Sequence, residues 1–391
     1  MRETILLLVG FLACGLTPAL GQDEPESPPA VEGAVDTPAA EPPEAPEEPP
    51  APGLERPADE PPPETPVLDR VTVLVENDKF AGTDRFYTNG FKLAYQRNDI
   101  GLISRVMSDF ISLVPFLKAE PLAYGIVFGH NIYTPEDTEQ RLLIPRDRPY
   151  GAWLYGGFSI TRGNQGQEGE PPPPFLFQDR IEVLGGVIGT AAQGEQVQNN
   201  FHRLINVDTS KGWHNQLKSE FGLQVYMQRK WLLRVWREEH SGIGADFLPH
   251  FGAAIGNVFT HASIGGTFRF GINLGDDFGP VQRIASAGLD TLSRPDSLRL
   301  YVFGRIEGRG VLFNAFLDGN LFRGPVSELS VNGVVETHDI NRERFVADFE
   351  AGIVAQIYWL SVGFTSVTRT REFEEQRDTF TFGAVHVSAT F

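Results

Sequence analysis

The sequence predicts an all-β protein: a twelve-stranded antiparallel transmembrane β-barrel with a disordered Pro-rich tail at its N-terminus. Three observations predict it. No stretch after residue 21 holds the ~18 continuous apolar residues that a membrane-spanning helix needs. Residues 67–391 break instead into short segments of alternating hydrophobicity, rich in Gly, aromatic and β-branched residues. The chain also ends on an aromatic, Phe391, which shares one face of the last segment with Val385, Val387 and Ala389. A terminal Phe on such a strand is similar to the signal that directs barrels to the bacterial outer membrane.

Residues 1–21 read as a secretory signal. They open with Arg2, continue in the apolar run Ile5 to Ala13, and end in the small-x-small site Ala19-Leu20-Gly21. Cys14 lies inside this segment, and Phe11 fits poorly where a lipoprotein signal has Leu. Removal of the signal leaves a mature chain without cysteine, hence without a disulfide, a thiolate metal site or a cysteine nucleophile. Residues 22–66 form an acidic, Pro-rich linker. They hold 13 acidic residues against one basic residue, Arg56, and 15 of the 29 prolines. Their net charge of −12 is two-thirds of the chain's −18. Such a segment cannot bury a core and reads as a self-repelling tether. It is either a passive linker or a spacer with a periplasmic contact. The folded part is only mildly acidic and has no basic patch, so nucleic acid is excluded as a partner.

The barrel domain is expected over 67–391. Val71, Val73 and Val75 alternate with Thr72, Leu74 and Glu76 in the first strand. Further strands are expected at 86–96, 121–132, 150–161, 178–190, 217–233, 246–258, 262–274, 298–309, 345–357, 358–370 and 379–391. Strands of about 9–11 residues suit a tilted membrane barrel. An even number puts both chain ends on one side. With the tail and Phe391 in the periplasm, the loops after strands 1, 3, 5 and 11 lie outside. Phe86, Tyr87, Tyr150, Trp153, Tyr155, Trp231, Trp236, Tyr358 and Trp359 sit near strand ends, where membrane-interface girdles are expected. Residues 100–119 are an apolar, helix-like insert in place of a short periplasmic turn. They read as an interfacial helix, a plug, or a sign of displaced strand boundaries.

Common catalytic signatures are absent: no G-x-S-x-G, no H-E-x-x-H and no P-loop. The informative stretch is Glu76-Asn77-Asp78-Lys79-Phe80, then Asp84-Arg85-Phe86-Tyr87-Thr88-Asn89-Gly90. On spacing alone it is a polar hairpin. His130, His214 and His250 read as structural, and Glu372-Phe373-Glu374-x-Gln376 as a solvated part of the last outer loop.

The combination of these motifs resembles one family, the calcium-dependent lipid A 3′-O-deacylases of the outer membrane. The resemblance is distributed over 67–391. It rests on Asn77-Asp78, Tyr87-Thr88-x-Gly90, Ile132-Tyr133-Thr134-Pro135, Asp147-Arg148-Pro149-Tyr150 and Gly185-x-Val187-Ile188-Gly189. It continues in Gly194-Glu195-Gln196-Val197-Gln198-Asn199-x-x-His202-Arg203, Trp213-x-x-Gln216, Asp339-Ile340-Asn341 and Phe391. It implies a twelve-stranded barrel that removes a 3′-linked acyloxyacyl group from lipid A, the anchor of lipopolysaccharide. Asn77 and Asp78 match the family's Asn-Asp pair, Thr88 its active-site Thr, and His202 its catalytic histidine. Asp208 falls where the family has Glu. Arg141 matches the Arg of a Lys-Arg pair, while Gln140 holds the Lys position. Strand parity puts all six residues on the extracellular rim, the level of the outer-leaflet ester bonds.

The chemistry that the resemblance implies is ester hydrolysis. His202 is the expected general base on water, since imidazole exchanges protons near neutral pH. Asp208 would orient the ring. Asp78, with Asn77 and Thr88, would offer hard oxygen to Ca²⁺, the implied cofactor and stabiliser of the oxyanion. Arg141 would pair with a lipid A phosphate. A short helix is expected over the site within 192–206. Two other readings remain: an outer-membrane acyl hydrolase acting on phospholipid, and a non-catalytic barrel for transport or tethering.

Overall fold

The computed structural model describes residues 67–81, 86–98, 121–164, 175–204, 206, 208–238, 240–281, 283–284, 292, 294–329 and 333–391. The signal segment, the Pro-rich linker and the 100–119 insert lie outside the described residues.

The barrel strands are β1 (Asp69–Asn77), β2 (Phe86–Arg97), β3 (Pro121–Thr134), β4 (Gly151–Gly163), β5 (Leu176–Ile188), β6 (Glu220–Arg237), β7 (Ile243–Gly256), β8 (Phe259–Ile272), β9 (Arg299–Asn314), β12 (Phe345–Ile357), β13 (Leu360–Arg369) and β14 (Phe380–Thr390). The short hairpin β10 (Ser327–Leu329) and β11 (Val335–Thr337) sits apart from them, between β9 and β12. Each barrel strand pairs antiparallel with its neighbours, and β1 pairs with β14, so the sheet closes on itself with twelve strands. All twelve expected strands are present, with boundaries moved by a few residues. Closure is fastened at the chain end: Asp69 N donates to Phe391 O at 2.8 Å, and Phe391 N donates to Asp69 O at 2.8 Å.

Alternation decides which way each row faces. On β1 the buried row is Arg70, Thr72, Leu74 and Glu76, so the valines form the outer row. On β14 the outer row ends in Val387 and Phe391, both exposed. A barrel in lipid presents apolar groups outward and keeps polar groups inward. The lumen accordingly holds an ion-pair network. Lys92 meets Glu182 at 2.8 Å, Arg305 meets Glu350 at 2.6 Å, and Arg309 and Arg369 each meet Asp348 at 2.8 Å.

The chain after β8 enters this lumen. Phe278 is completely buried against Leu176, Leu232 and Leu248 on the inner faces of β5, β6 and β7. Lys230 Nζ donates to Phe278 O at 3.1 Å. Further along, Arg283 pairs with Asp348, with Glu350 at 2.5 Å and with Glu307 at 3.1 Å. Ile284 N donates to Glu76 Oε1 at 2.9 Å. Residues 274–281, with Arg283 and Ile284, therefore plug the barrel from the rim that carries both chain ends.

The expected aromatic girdles are half present. Trp236, Tyr358 and Trp359 are exposed at the chain-end rim. Phe86, Tyr87, Tyr150, Trp153 and Tyr155 are buried instead. Tyr87 packs on Tyr133 with centroids 5.2 Å apart, and Trp153 on Tyr155 at 4.2 Å. These rings occupy inner rows or lie beneath loops, where packing and not an interface takes them.

Arg283→Ala would leave three lumenal carboxylates short of a cation. It should cost about 3–5 kcal/mol of stability, measured as a lower denaturant midpoint for the refolded barrel. An unchanged midpoint contradicts this account of the plug.

Candidate functional site

The rim opposite the chain ends carries the ends of β1, β3 and β5 and the start of β2. Asn77, Asp78, Thr88, Arg141, His202 and Asp208 all lie on this rim, as parity required. The outer face of the wall changes character here. Along the outer row of β3, Ile126 and Phe128 are 58% and 47% exposed, whereas His130, Ile132 and Thr134 are 7%, 1% and 0% exposed. The chain between β5 and β6 covers them. It forms a 3₁₀ turn (Gly189–Ala192) and then helix α1 (Gly194–Leu204), which rests on β3 and β4.

Three contacts hold the 3₁₀ turn and the start of α1 on the wall. His130 Nε2 donates to Ala192 O at 2.8 Å. Ile132 and Ala152 from the wall cluster with Ala192, Tyr150 and Trp213. Gly194 sits so close that a Cβ there would come within 2.6 Å of both Ala152 and Trp213, so the helix begins on a residue without one.

The buried face of α1 is Gly194, Gln198 and His202, spaced by four residues. His202 is 1% exposed, and its Nδ1 lies 2.7 Å from the backbone carbonyl oxygen of Asp208. A carbonyl only accepts, so Nδ1 carries the proton and the neutral ring has its lone pair on Nε2. Asp208 thus orients the ring through its main chain. Its carboxylate, expected to do so, is exposed. The contact therefore does not depend on whether residue 208 is Asp or Glu. Sequence reasoning gave Gln198 no role. Trp213 Nε1 donates to Gln198 Oε1 at 2.8 Å, which fixes the orientation of the amide. Gln198 Nε2 is then a buried donor with no hydrogen-bond partner among the described residues. The i, i+4 spacing to His202 was the available signal.

Asn77 ends β1, Asp78 opens the 3₁₀ turn that follows, and Thr88 lies near the start of β2. Asn77 pairs with Asn89, the neighbour of Thr88. A β-bulge between Tyr87 and Asn89 adds Thr88 as an extra residue. Bulges re-aim side chains, and here the Thr88 hydroxyl meets the Thr134 hydroxyl at 2.8 Å, on the outer row of β3. Asn77 Oδ1 accepts from Lys79 N at 2.8 Å and shapes the turn that begins at Asp78. Asp78 is completely buried. Asn77, Asp78 and Thr88 offer hard oxygen donors with one buried carboxylate, which suits Ca²⁺ better than a softer ion. Among the described residues no group of three or more His, Cys, Asp or Glu is arranged to hold a metal, so a cation here would rely on neutral oxygens beside Asp78. Arg141 is exposed in the β3–β4 loop, and its carbonyl accepts from Asn215 Nδ2 at 3.0 Å.

The surrounding loops are clamped, not solvated. Arg148 Nη1 donates to Phe86 O at 3.1 Å, and its Nη2 meets Glu372 at 2.5 Å. His338 Nε2 donates to the Asp147 carbonyl. Glu372, Phe373 and Gln376, expected in solvent, are 6%, 1% and 2% exposed. Burial pushes the Glu372 carboxyl pKa up, but Arg148 and Arg369 together outweigh it and hold it below the usual carboxylate value. His214 and His250 pair with carboxylates: His214 meets Glu328 at 3.2 Å and His250 meets Glu307 at 3.1 Å.

A family model described as outer membrane protein LpxR matches residues 56–391. No curated protein matches the sequence. Among solved structures, LpxR from Salmonella typhimurium is similar at 19% identity with a TM-score of 0.62, over 82% of this chain and 100% of that one. The β-domain of the Bordetella autotransporter BrkA reaches a TM-score of only 0.36 at 7% identity, over 83% of this chain and 98% of that one.

Gly194→Ala should lift α1 from the wall, measured as faster proteolysis between residues 189 and 219 while the barrel stays folded. Equal proteolysis would mean that the close approach is not needed. The Glu372 clamp should respond to acid. With its folded pKa lowered, its stabilisation is present above the unfolded value of about 4.3 and is lost as pH falls through the folded value. Glu372→Gln should remove that component of an acid-unfolding profile, and a superimposable profile refutes the assignment.

Proposed function

We propose that this chain, which belongs to the LpxR family of outer membrane proteins, is a lipid A deacylase that hydrolyses the 3′-linked acyloxyacyl ester. The observation that carries the proposal is the position of His202. It is buried on the face of α1 that packs on the outside of the barrel wall, and its ring is set by the Asp208 carbonyl. A base on the outer wall is placed for a substrate that arrives sideways through the outer leaflet. The plugged lumen also speaks against a transport role.

In this reading, His202 Nε2 takes a proton from water as the water oxygen adds to the ester carbonyl carbon. The carbonyl electrons move to oxygen and return as the bond to the sugar oxygen breaks. The imidazolium gives its proton to that leaving oxygen. The products are the free acyloxyacyl acid and lipid A with a 3′-hydroxyl. Asp78, with Asn77 and Thr88, would hold Ca²⁺, which when bound supplies positive charge to the carbonyl oxygen. Gln198 Nε2 is a preoriented donor on the same helix face. Arg141, exposed at the rim, would pair with a lipid A phosphate.

The test is the mass of lipid A extracted from an outer membrane that carries this protein. Loss of the acyloxyacyl mass is expected with Ca²⁺ and not with a chelator. His202→Ala should slow it by roughly 10²–10⁴-fold, whereas Asp208→Ala, which keeps the carbonyl, should stay within about threefold of the parent. Unchanged lipid A mass, with release of acyl chains from phospholipid, would replace the lipid A reading with the phospholipid one.

A further inference from the structure

The exposed side of α1 is not uniformly polar. With about 100° of turn per residue, Gly194, Gln198 and His202 occupy the buried sector. Glu195, Gln196, Asn199, Asn200 and Arg203 fill one flank. Val197, Phe201 and Leu204 fill the other, and they are 45%, 45% and 82% exposed. The polar flank has a known direction. Asn199 Oδ1 accepts from Ser210 N at 3.0 Å, and the same returning loop is bound by Lys211 N to Thr138 O at 2.9 Å. That flank therefore faces the loops of the rim. The apolar flank, on the opposite side, faces back along the wall toward the chain-end rim. There the wall is lipid-facing: His130 under the 3₁₀ turn is followed, one outward step or about 7 Å down β3, by the exposed Phe128.

We propose that Val197, Phe201 and Leu204 sit among the acyl chains of the outer leaflet and hold α1 in the membrane interface. An amphipathic helix in that plane buries its apolar face at the boundary of headgroups and chains. The stripe is continuous with the apolar outer face of the barrel, so the lipid that surrounds the strands reaches it without a gap. The surface is not part of the hydrolytic chemistry. It fixes the height of the buried face that carries His202 relative to the ester bonds, and in that respect it rests on the deacylase reading.

The first measurement is independent of activity. Cys14 is the one cysteine of the chain, so in a Cys14→Ser background Phe201→Cys and Gln196→Cys each give one site for a nitroxide spin label. In vesicles of phosphatidylcholine, a label at 201 should collide more with oxygen, which partitions into lipid, than with a water-soluble nickel chelate. A label at 196 should show the reverse. Equal exposure of both labels to the nickel chelate overturns the proposal, whatever the enzyme does. The second measurement uses the triple variant Val197→Ser, Phe201→Ser and Leu204→Ser. Hydrolysis of lipid A in membranes should fall about tenfold, the factor that 1.4 kcal/mol of lost interaction gives, with hydrolysis in detergent micelles unchanged. An equal loss in both would mean that the stripe supports the fold of the site and not its contact with lipid. If the deacylase reading fails, the spin-label result still decides whether α1 lies in the membrane.

Discussion

The structure depends on one requirement: in hydrocarbon no backbone N–H or C=O can be left without a partner. A sheet meets it only by closing, and here closure is completed by the paired main chains of Asp69 and Phe391. Closing has two consequences. It creates an outside that must be apolar, met by rows such as Val71, Val73 and Val75. It also creates an inside, lined here by buried polar and charged rows. Residues 274–281, Arg283 and Ile284, with the arginines and carboxylates around Arg283, occupy it.

That interior is costly in isolation. Each buried charge loses hydration, and a pair regains it only when its geometry is good and its remaining hydrogen-bonding sites are met. The lumen answers with multiplicity. Asp348 receives Arg283, Arg309 and Arg369, and Arg283 in turn touches Asp348, Glu350 and Glu307. No single pair carries the network, and the plug is one of its members. This network braces the wall from inside, and the candidate site lies on the outer face of that wall.

Much of the barrel was legible because period two is a strong signal. A strand that faces lipid on one side and charge on the other writes its register into the sequence, as β1 and β14 do. What failed to show was everything without a period. Residues 274–281, Arg283 and Ile284 look like a loop, and only their contacts make them a plug. Phe86, Tyr87, Tyr150, Trp153 and Tyr155 look like a girdle, because an aromatic near a strand end does not reveal which side of the wall it faces. Glu372 looks solvated until Arg148, far away in sequence, is placed beside it. The site was read from resemblance, and its residues are indeed on one rim. The part that the motifs hid is a main-chain contact: Asp208 meets His202 through a carbonyl that any residue would supply.

The position of the site then follows from the filled lumen. A barrel whose inside is occupied has only its rim and its outer surface to offer a ligand. The bulge at Thr88 aims a hydroxyl at Thr134 on the outer row, and Asn77 continues the row of valines that faces lipid. Helix α1 lies over the same wall, close enough at Gly194 to exclude a methyl group. Asn77, Thr88 and His202, three of the residues expected to act on an ester, therefore sit on the outer side of the wall, beyond the level where exposed Phe128 gives way to covered His130. A two-chained or multi-chained lipid can meet such a site with its acyl chains still in the leaflet. A water-soluble ester would have to leave water for an apolar flank. In the proposed deacylase reading, the same constraint that closes the sheet favours a lipid substrate, by leaving the bilayer as the direction of approach.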